Sequence, residues 1–199
     1  MDGKTGLLAR MMTHIALARA RRTLAGQLRG PVLTLEAPSA DLRAAFLDMA
    51  ADFASHGESR YVPASQDFEG FLRRIAADEQ ERVLAPGRVP GSQFWLVFDE
   101  RLLGCSRLRH WLTPELMYEG GHVGYDIRPS ARGCGFGTTL LSLTKERAAA
   151  RGIARLRITC DVDNKASIRV IEKNGGILDA VVPSRTRDKM ICQYWVETG

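Results

Sequence analysis

The sequence predicts a mixed α/β fold, and three observations carry the prediction. A strand-like run at 122–127 leads through Gly133, Gly135 and Gly137 into a helical segment that contains Leu140 and Leu141. That helix stops at Gly152 and a second strand, 154–160, follows it; a strand–helix–strand unit of this kind implies parallel pairing. The remaining strand signals, 94–98 with 102–112 and 177–182 with 189–196, read as antiparallel pairs.

Taken in order, residues 1–30 form an Ala- and Arg-rich segment with six bases (Lys4, Arg10, Arg19, Arg21, Arg22, Arg29) against Asp2, a net charge of +5. Leu7, Leu8, Met11 and Ile15 stand at helical spacing. This pattern suits an N-terminal extension ahead of a start at Met11 or Met12, an organellar transit peptide or an amphipathic surface helix. Pro31 closes it, so the expected division is an extension over 1–30 and a single domain over 31–199. A first strand is expected at 32–36, and Ser39 opens a helix through Ala54 whose apolar face uses Leu42, Phe46, Leu47 and Met49 or Ala50. A second helix is expected over 66–83, with Phe68, Phe71, Leu72 and Ile75 inward, and the Pro86-Gly87 and Pro90-Gly91 pairs mark a loop. Residues 94–98 and 102–112 then form a hairpin about Asp99-Glu100, 113–117 connects, and 119–128 is the strand that feeds the glycine loop.

Composition narrows the function classes. Outside residues 1–30 the chain holds 22 bases and 22 acids, so its excess charge belongs to the N-terminal segment and the domain offers no general basic surface for nucleic acid. Cys105, Cys134, Cys160 and Cys192 are widely separated and form no C-x-x-C pair, which argues against zinc and a disulfide framework and fits a reducing, cytoplasmic setting. No apolar run reaches the length of a transmembrane helix.

A strand that turns through glycines into a helix exposes consecutive N–H groups at a positive helix terminus, and such groups hold a pyrophosphate. The Walker pattern fails because no Lys follows the last glycine, and the Rossmann fingerprint fails because the glycines are two apart. What remains is R-x-x-G-x-G at Arg132, Gly135 and Gly137, followed about thirty residues later by N-x-x-S at Asn164 and Ser167 in a segment ending at Gly175. Asp163 or Asn164 and Gly175 also serve as caps for that helix. Together the two segments resemble the acyl-CoA site of the GNAT N-acetyltransferase superfamily, over roughly residues 90–196. The likeness is nearest to bacterial acetyltransferases without a defined substrate, through residues 89–95, Leu108-Arg109-His110, 120–125 and 193–197. It extends more distantly to ribosomal-protein N-terminal acetyltransferases through Ser167, Val170, Glu172 and Lys173.

The resemblance implies a mostly antiparallel central sheet with one parallel, splayed strand pair and helices on both faces. It implies acetyl-CoA as co-substrate, without a metal, with pantetheine lying in the splay. Main-chain groups near Ile127 and Arg128 would pair with the pantetheine, Gly133, Cys134, Gly135, Phe136, Gly137 and Thr138 would hold the pyrophosphate, Arg132 would supply charge, and Asn164 and Ser167 would face the cofactor. Phe136 is expected to pack in the core, and Cys134 stands where relatives often carry Lys. Ile171 stands where many members of the superfamily have the Tyr that protonates the leaving thiolate. For the general base, His122 is the first candidate because imidazole titrates near neutrality, and Glu119 the second; a buried His122 satisfied by a neighbour is the competing reading. The acceptor would be a small-molecule amine or a protein N-terminus, bound by the first two helices and the loop 183–189. Residues 38–86 carry nine acids and five bases, which favours a cationic acceptor or is simply a solvated face. A homodimer and a non-catalytic acyl-CoA-binding sensor or partner module stay open.

Overall fold

A computed structural model describes residues 32–80 and 88–199. The N-terminal segment 1–30, and the end of the helix expected over 66–83, lie outside the described residues.

Among the described residues the chain runs β1 (Leu33–Glu36), a 3-10 turn, α1 (Arg43–Ser55), a second 3-10 turn (Ser59–Tyr61), α2 (Val62–Gln66), α3 (Phe68–Glu79), β2 (Gly91–Phe98) and β3 (Arg101–Arg109). It continues through α4 (Pro114–Tyr118), β4 (Val123–Ile127), a 3-10 turn (Pro129–Ala131), α5 (Phe136–Ala150), β5 (Arg155–Asp161), α6 (Lys165–Lys173), β6 (Ile177–Pro183) and β7 (Met190–Glu197). The second expected helix is two pieces: the chain extends at Asp67, whose carboxylate caps α3 by accepting from the Gly70 N–H at 2.9 Å. The expected connection at 113–117 holds a short helix, started by Pro114 and capped by the Thr113 hydroxyl.

The strands form two sheets, ordered β1-β2-β3-β4 and β5-β7-β6, antiparallel throughout. Phe46, Met49 and Phe53 of α1 bury one face of the first sheet against Trp95, Val97 and Leu102, with Phe46 stacked on Trp95 at 5.3 Å. Leu140 of α5 covers the opposite face with Leu96 and Leu103, while Leu141 and Ala148 of the same helix pack with Leu156, Ile158 and Val196 of the second sheet. Helix α5 is therefore wedged between the two sheets, and burying each of these large apolar side chains stabilises the fold by about 1.5–3 kcal/mol.

The expected parallel strand pair is splayed. No ladder joins β4 to β5; the His122 N–H donates to the Arg157 carbonyl at 2.7 Å, and beyond that point the strands lie in different sheets. Strand β4 is also shorter than the expected 119–128, because Gly120 and Gly121 have positive φ and turn the chain before Val123. Gly121 is required there: a Cβ would stand 2.4 Å from the Arg157 carbonyl oxygen.

Candidate active site at the splay

The phosphate-loop candidate is built between β4 and α5. After Ile127 the chain makes a 3-10 turn, extends at Arg132, and passes Gly133 and Gly135 at φ 76° and 88° before α5 begins at Phe136. These left-handed positions turn successive N–H groups the same way. Among the described residues the N–H groups of Gly133, Cys134, Gly135, Phe136 and Gly137 make no hydrogen bond, whereas that of Thr138 donates to the Gly135 carbonyl at 3.0 Å. Five donors in a row at a helix N-terminus suit a multiply charged anion. Phe136 packs with Leu96, Leu103 and Leu140, in line with a core role.

Arg128 departs from its expected place. Its N–H donates to the Leu103 carbonyl, its carbonyl accepts from Ala131, and its buried guanidinium binds Asp48 at 2.7 Å and Asp52 at 3.0 Å. The expectation that Arg128 meets pantetheine through its main chain is therefore corrected: by strand alternation the even-numbered residues of β4 face β3, and Val123, Tyr125 and Ile127 face the opening toward β5. Ile127 keeps the expected direction, although its carbonyl accepts from the Arg132 Nε at 2.9 Å. Arg132 also forms a bidentate pair with Glu58 at 2.6 and 3.0 Å and lies over the Phe53 ring. The Arg132 pair, burial notwithstanding, holds the Glu58 carboxyl below its ordinary range.

Across the opening, the Asn164 side chain caps α6 by accepting from the Ser167 N–H at 3.0 Å. The Ser167 hydroxyl lies 2.8 Å from the Tyr125 hydroxyl of β4. Burial pushes the Tyr125 phenol up to about 12, so that it stays protonated. Ile171 is fully buried in the core under the second sheet.

Both candidate bases are engaged elsewhere. His122 Nδ1 accepts from the Arg157 N–H at 2.9 Å, which places the proton of the neutral ring on Nε2 and leaves no free lone pair. Burial lowers its pKa, with the Arg109 charge adding to the effect. Glu119 accepts from the hydroxyls of Ser184 and Thr186, the Arg185 N–H and the Arg187 guanidinium, and these bonds, the Ser184 hydroxyl foremost, hold its carboxyl down to about 2. In this geometry His122 ties β4 to β5 and Glu119 anchors the loop 184–187.

Asp126, which strand alternation could set on the same side as His122, is not one of the two expected bases. Asp126 accepts from the Tyr61 hydroxyl at 3.2 Å and from Arg60, which also binds Glu58 at 2.9 Å. Burial raises the Asp126 pKa against the opposing pull of Arg60. Beside Asp126, Gly124 opens onto free space, with no atom within 4 Å of where a Cβ would stand. Among the described residues no group of His, Cys, Asp and Glu could hold a metal ion, and no helix is long and apolar enough to cross a membrane.

The family model of an acetyltransferase (GNAT) domain matches residues 33–177. No curated protein matches the chain. Among solved structures the chain is similar to yncA of Salmonella typhimurium, solved with its cofactor acetyl-CoA, at 16% identity and a TM-score of 0.59, over 84% of this chain and 94% of that one. It is similar to the ribosomal-protein-S5-alanine acetyltransferase of Vibrio fischeri at 11% identity and a TM-score of 0.65, over 84% and 97%. A chimera of the spermidine N-acetyltransferase SpeG from Vibrio cholerae and hSSAT gives 15% identity and a TM-score of 0.57, over 83% and 95%. At these identities the likeness is one of fold.

Proposed function

The chain belongs to the GNAT acetyltransferase family, and on that premise we propose that it transfers an acetyl group from acetyl-CoA to a primary amine by direct attack in a ternary complex. The observation that carries this reading is the row of five undirected N–H groups from Gly133 to Gly137, placed where the free edge of β4 opens toward β5. Those N–H groups would take the diphosphate, and the outward main-chain groups of Val123, Tyr125 and Ile127 would take the pantetheine amides.

Acetyl-CoA, when bound, supplies a thioester carbonyl for the amine to attack. Ser167, bonded to the Tyr125 hydroxyl and seated in the first turn of α6, is the proton donor that the geometry favours for the departing sulfur, in place of the hydroxyl missing at Ile171. On the opposite face, the open surface at Gly124 admits the acceptor, and Asp126 is the carboxylate beside it. With His122 and Glu119 both committed to structural bonds, Asp126 is the residue to test for binding and deprotonating the amine. The Vibrio cholerae chimera is named for spermidine and the Vibrio fischeri enzyme for an alanine of ribosomal protein S5, so the substrate panel holds small-molecule amines and peptide N-termini.

Calorimetry with acetyl-CoA, followed by transfer assays against polyamines, aminoglycosides and peptide N-termini, tests the proposal. Micromolar binding with turnover on at least one acceptor is expected, and no heat at millimolar ligand with folded protein would overturn it. The engagement of both expected bases and the aliphatic Ile171 favour a second reading, an acyl-CoA-binding sensor. Binding without turnover across the panel would select it.

A further inference from the structure

Strands β5 and β7 are antiparallel neighbours, and their register sets Cys160 directly opposite Cys192. Both are free thiols, and both belong to the apolar cluster under α6, so their side chains share one face of the sheet. Opposed residues of an antiparallel pair have Cα atoms roughly 4.5–5.5 Å apart, inside the roughly 4.4–6.8 Å range of disulfides. Their Cβ atoms, at about 4.5–5.5 Å, must close by roughly 0.7–1.7 Å to reach the disulfide mean of about 3.8 Å. A bond formed there would be strained and hence readily reduced, the property of a regulatory rather than a structural disulfide. The other two cysteines differ: Cys105 is buried beside the Met49 sulfur at 4.0 Å, and Cys134 lies in the phosphate loop.

We infer that Cys160 and Cys192 are a redox-active dithiol, converted to a cross-strand disulfide by a low-molecular-weight disulfide such as oxidised glutathione. Cys160 is partly exposed and Cys192 buried, which orders the steps. The Cys160 thiolate attacks one sulfur of the reagent, forming a mixed disulfide and releasing one thiolate. The Cys192 thiolate then attacks the Cys160 sulfur, forming the internal bond and releasing the second. Two protein thiols are oxidised, one small disulfide is reduced to two thiols, and the two protons pass from the protein to the released sulfurs. Burial pushes the Cys160 thiol up to about 11, which slows the exchange.

The pair adjoins the proposed cofactor slit. The Ser167 hydroxyl that bonds Tyr125 is close enough to Cys160 to pull its thiol pKa down against burial. Drawing the Cys160 sulfur toward Cys192 moves it away from Ser167 and alters the wall of the slit. This consequence rests on the acetyl-CoA reading; the disulfide itself does not.

The test incubates the full folded chain with oxidised glutathione and reads intact mass and non-reducing peptide maps. A loss of two hydrogens per chain, a peptide joining the segments around 160 and 192, and reversal by dithiothreitol are expected, and Cys192→Ala should stop at one glutathione on Cys160. Folded protein that stays reduced, or carries glutathione without the 160–192 link, overturns the inference. Calorimetry of the linked form should show acetyl-CoA affinity reduced at least about threefold, and unchanged affinity removes the effect on the slit. Absence of binding in both forms would sink the acetyl-CoA reading while the mapped disulfide stood.

Discussion

The two loops at the opening between the sheets are each held by an ionic cluster, and the clusters differ in exposure. The loop that leads from β4 to α5 is tied to α1 through Arg128, 4% exposed, which reaches Asp48 and Asp52, while Ser130 adds both its N–H and its hydroxyl to Asp52. The loop from β6 to β7 is tied through Glu119 to Ser184, Arg185, Thr186 and Arg187, the last 49% exposed, and Arg187 and Lys189 also bind Asp161. The bonds are similar in length, and the second loop has more of them. What differs is the cost of leaving a charge behind when one bond is cut: a buried ion has no water to turn to, whereas an exposed one is rehydrated. Rigidity at the candidate phosphate site and adjustability at the expected acceptor loop follow from that difference.

Arg128→Ala should have the largest effect, about 3–5 kcal/mol, because it removes a buried charge and leaves Asp52 short of a partner. Urea denaturation reads it, and a loss below about 1 kcal/mol would break the contrast. Gly121→Ala comes next, at roughly 2 kcal/mol, since it combines a left-handed backbone with a contact against the Arg157 carbonyl where the two sheets touch. Glu119→Gln should change stability by no more than about 1 kcal/mol, yet speed amide exchange at Arg185 and Arg187 severalfold.

The same contrast has a pH signature. Glu119 is held at about 2 against an ordinary 4.5, so its contribution is complete above pH 4.5 and is lost as pH falls from there toward 2. Amide protection at Arg185 should decline through that window. His122 works at higher pH: its folded pKa lies below 6.5, so its contribution is complete above that value and declines as pH falls below it. A thermal melt series from pH 7.5 to 5 should show a shallow loss in the native chain that His122→Asn reduces. This is the smallest effect expected, and an equal loss in both proteins would return His122 to the list of groups that titrate freely.

Much of the fold was legible in the chain. The glycine spacing at 133–137, the α6 cap at Asn164 and the terminal antiparallel pair all appear where local pattern placed them, because backbone conformation and capping depend on near neighbours. The elements that were misread are those where a local signal was overridden: Glu119 belongs to a turn rather than to β4, since two glycines intervene, and the second helix breaks where Asp67 caps a new one. The ionic ladder of Glu58, Arg60, Arg132 and Asp126 had no local signal at all, its members being up to 74 residues apart.

The chain by itself determined which residues can present a row of N–H groups, which apolar residues of the two N-terminal helices turn inward, and that the hydroxyl expected at position 171 is replaced by an aliphatic side chain. Tertiary structure alone decided what each ionisable group is bonded to. Protonation depends on burial and on partners brought in from distant segments, and this is why His122 and Glu119, plausible bases by type and position, serve as ties between elements while Asp126 stands beside the open surface.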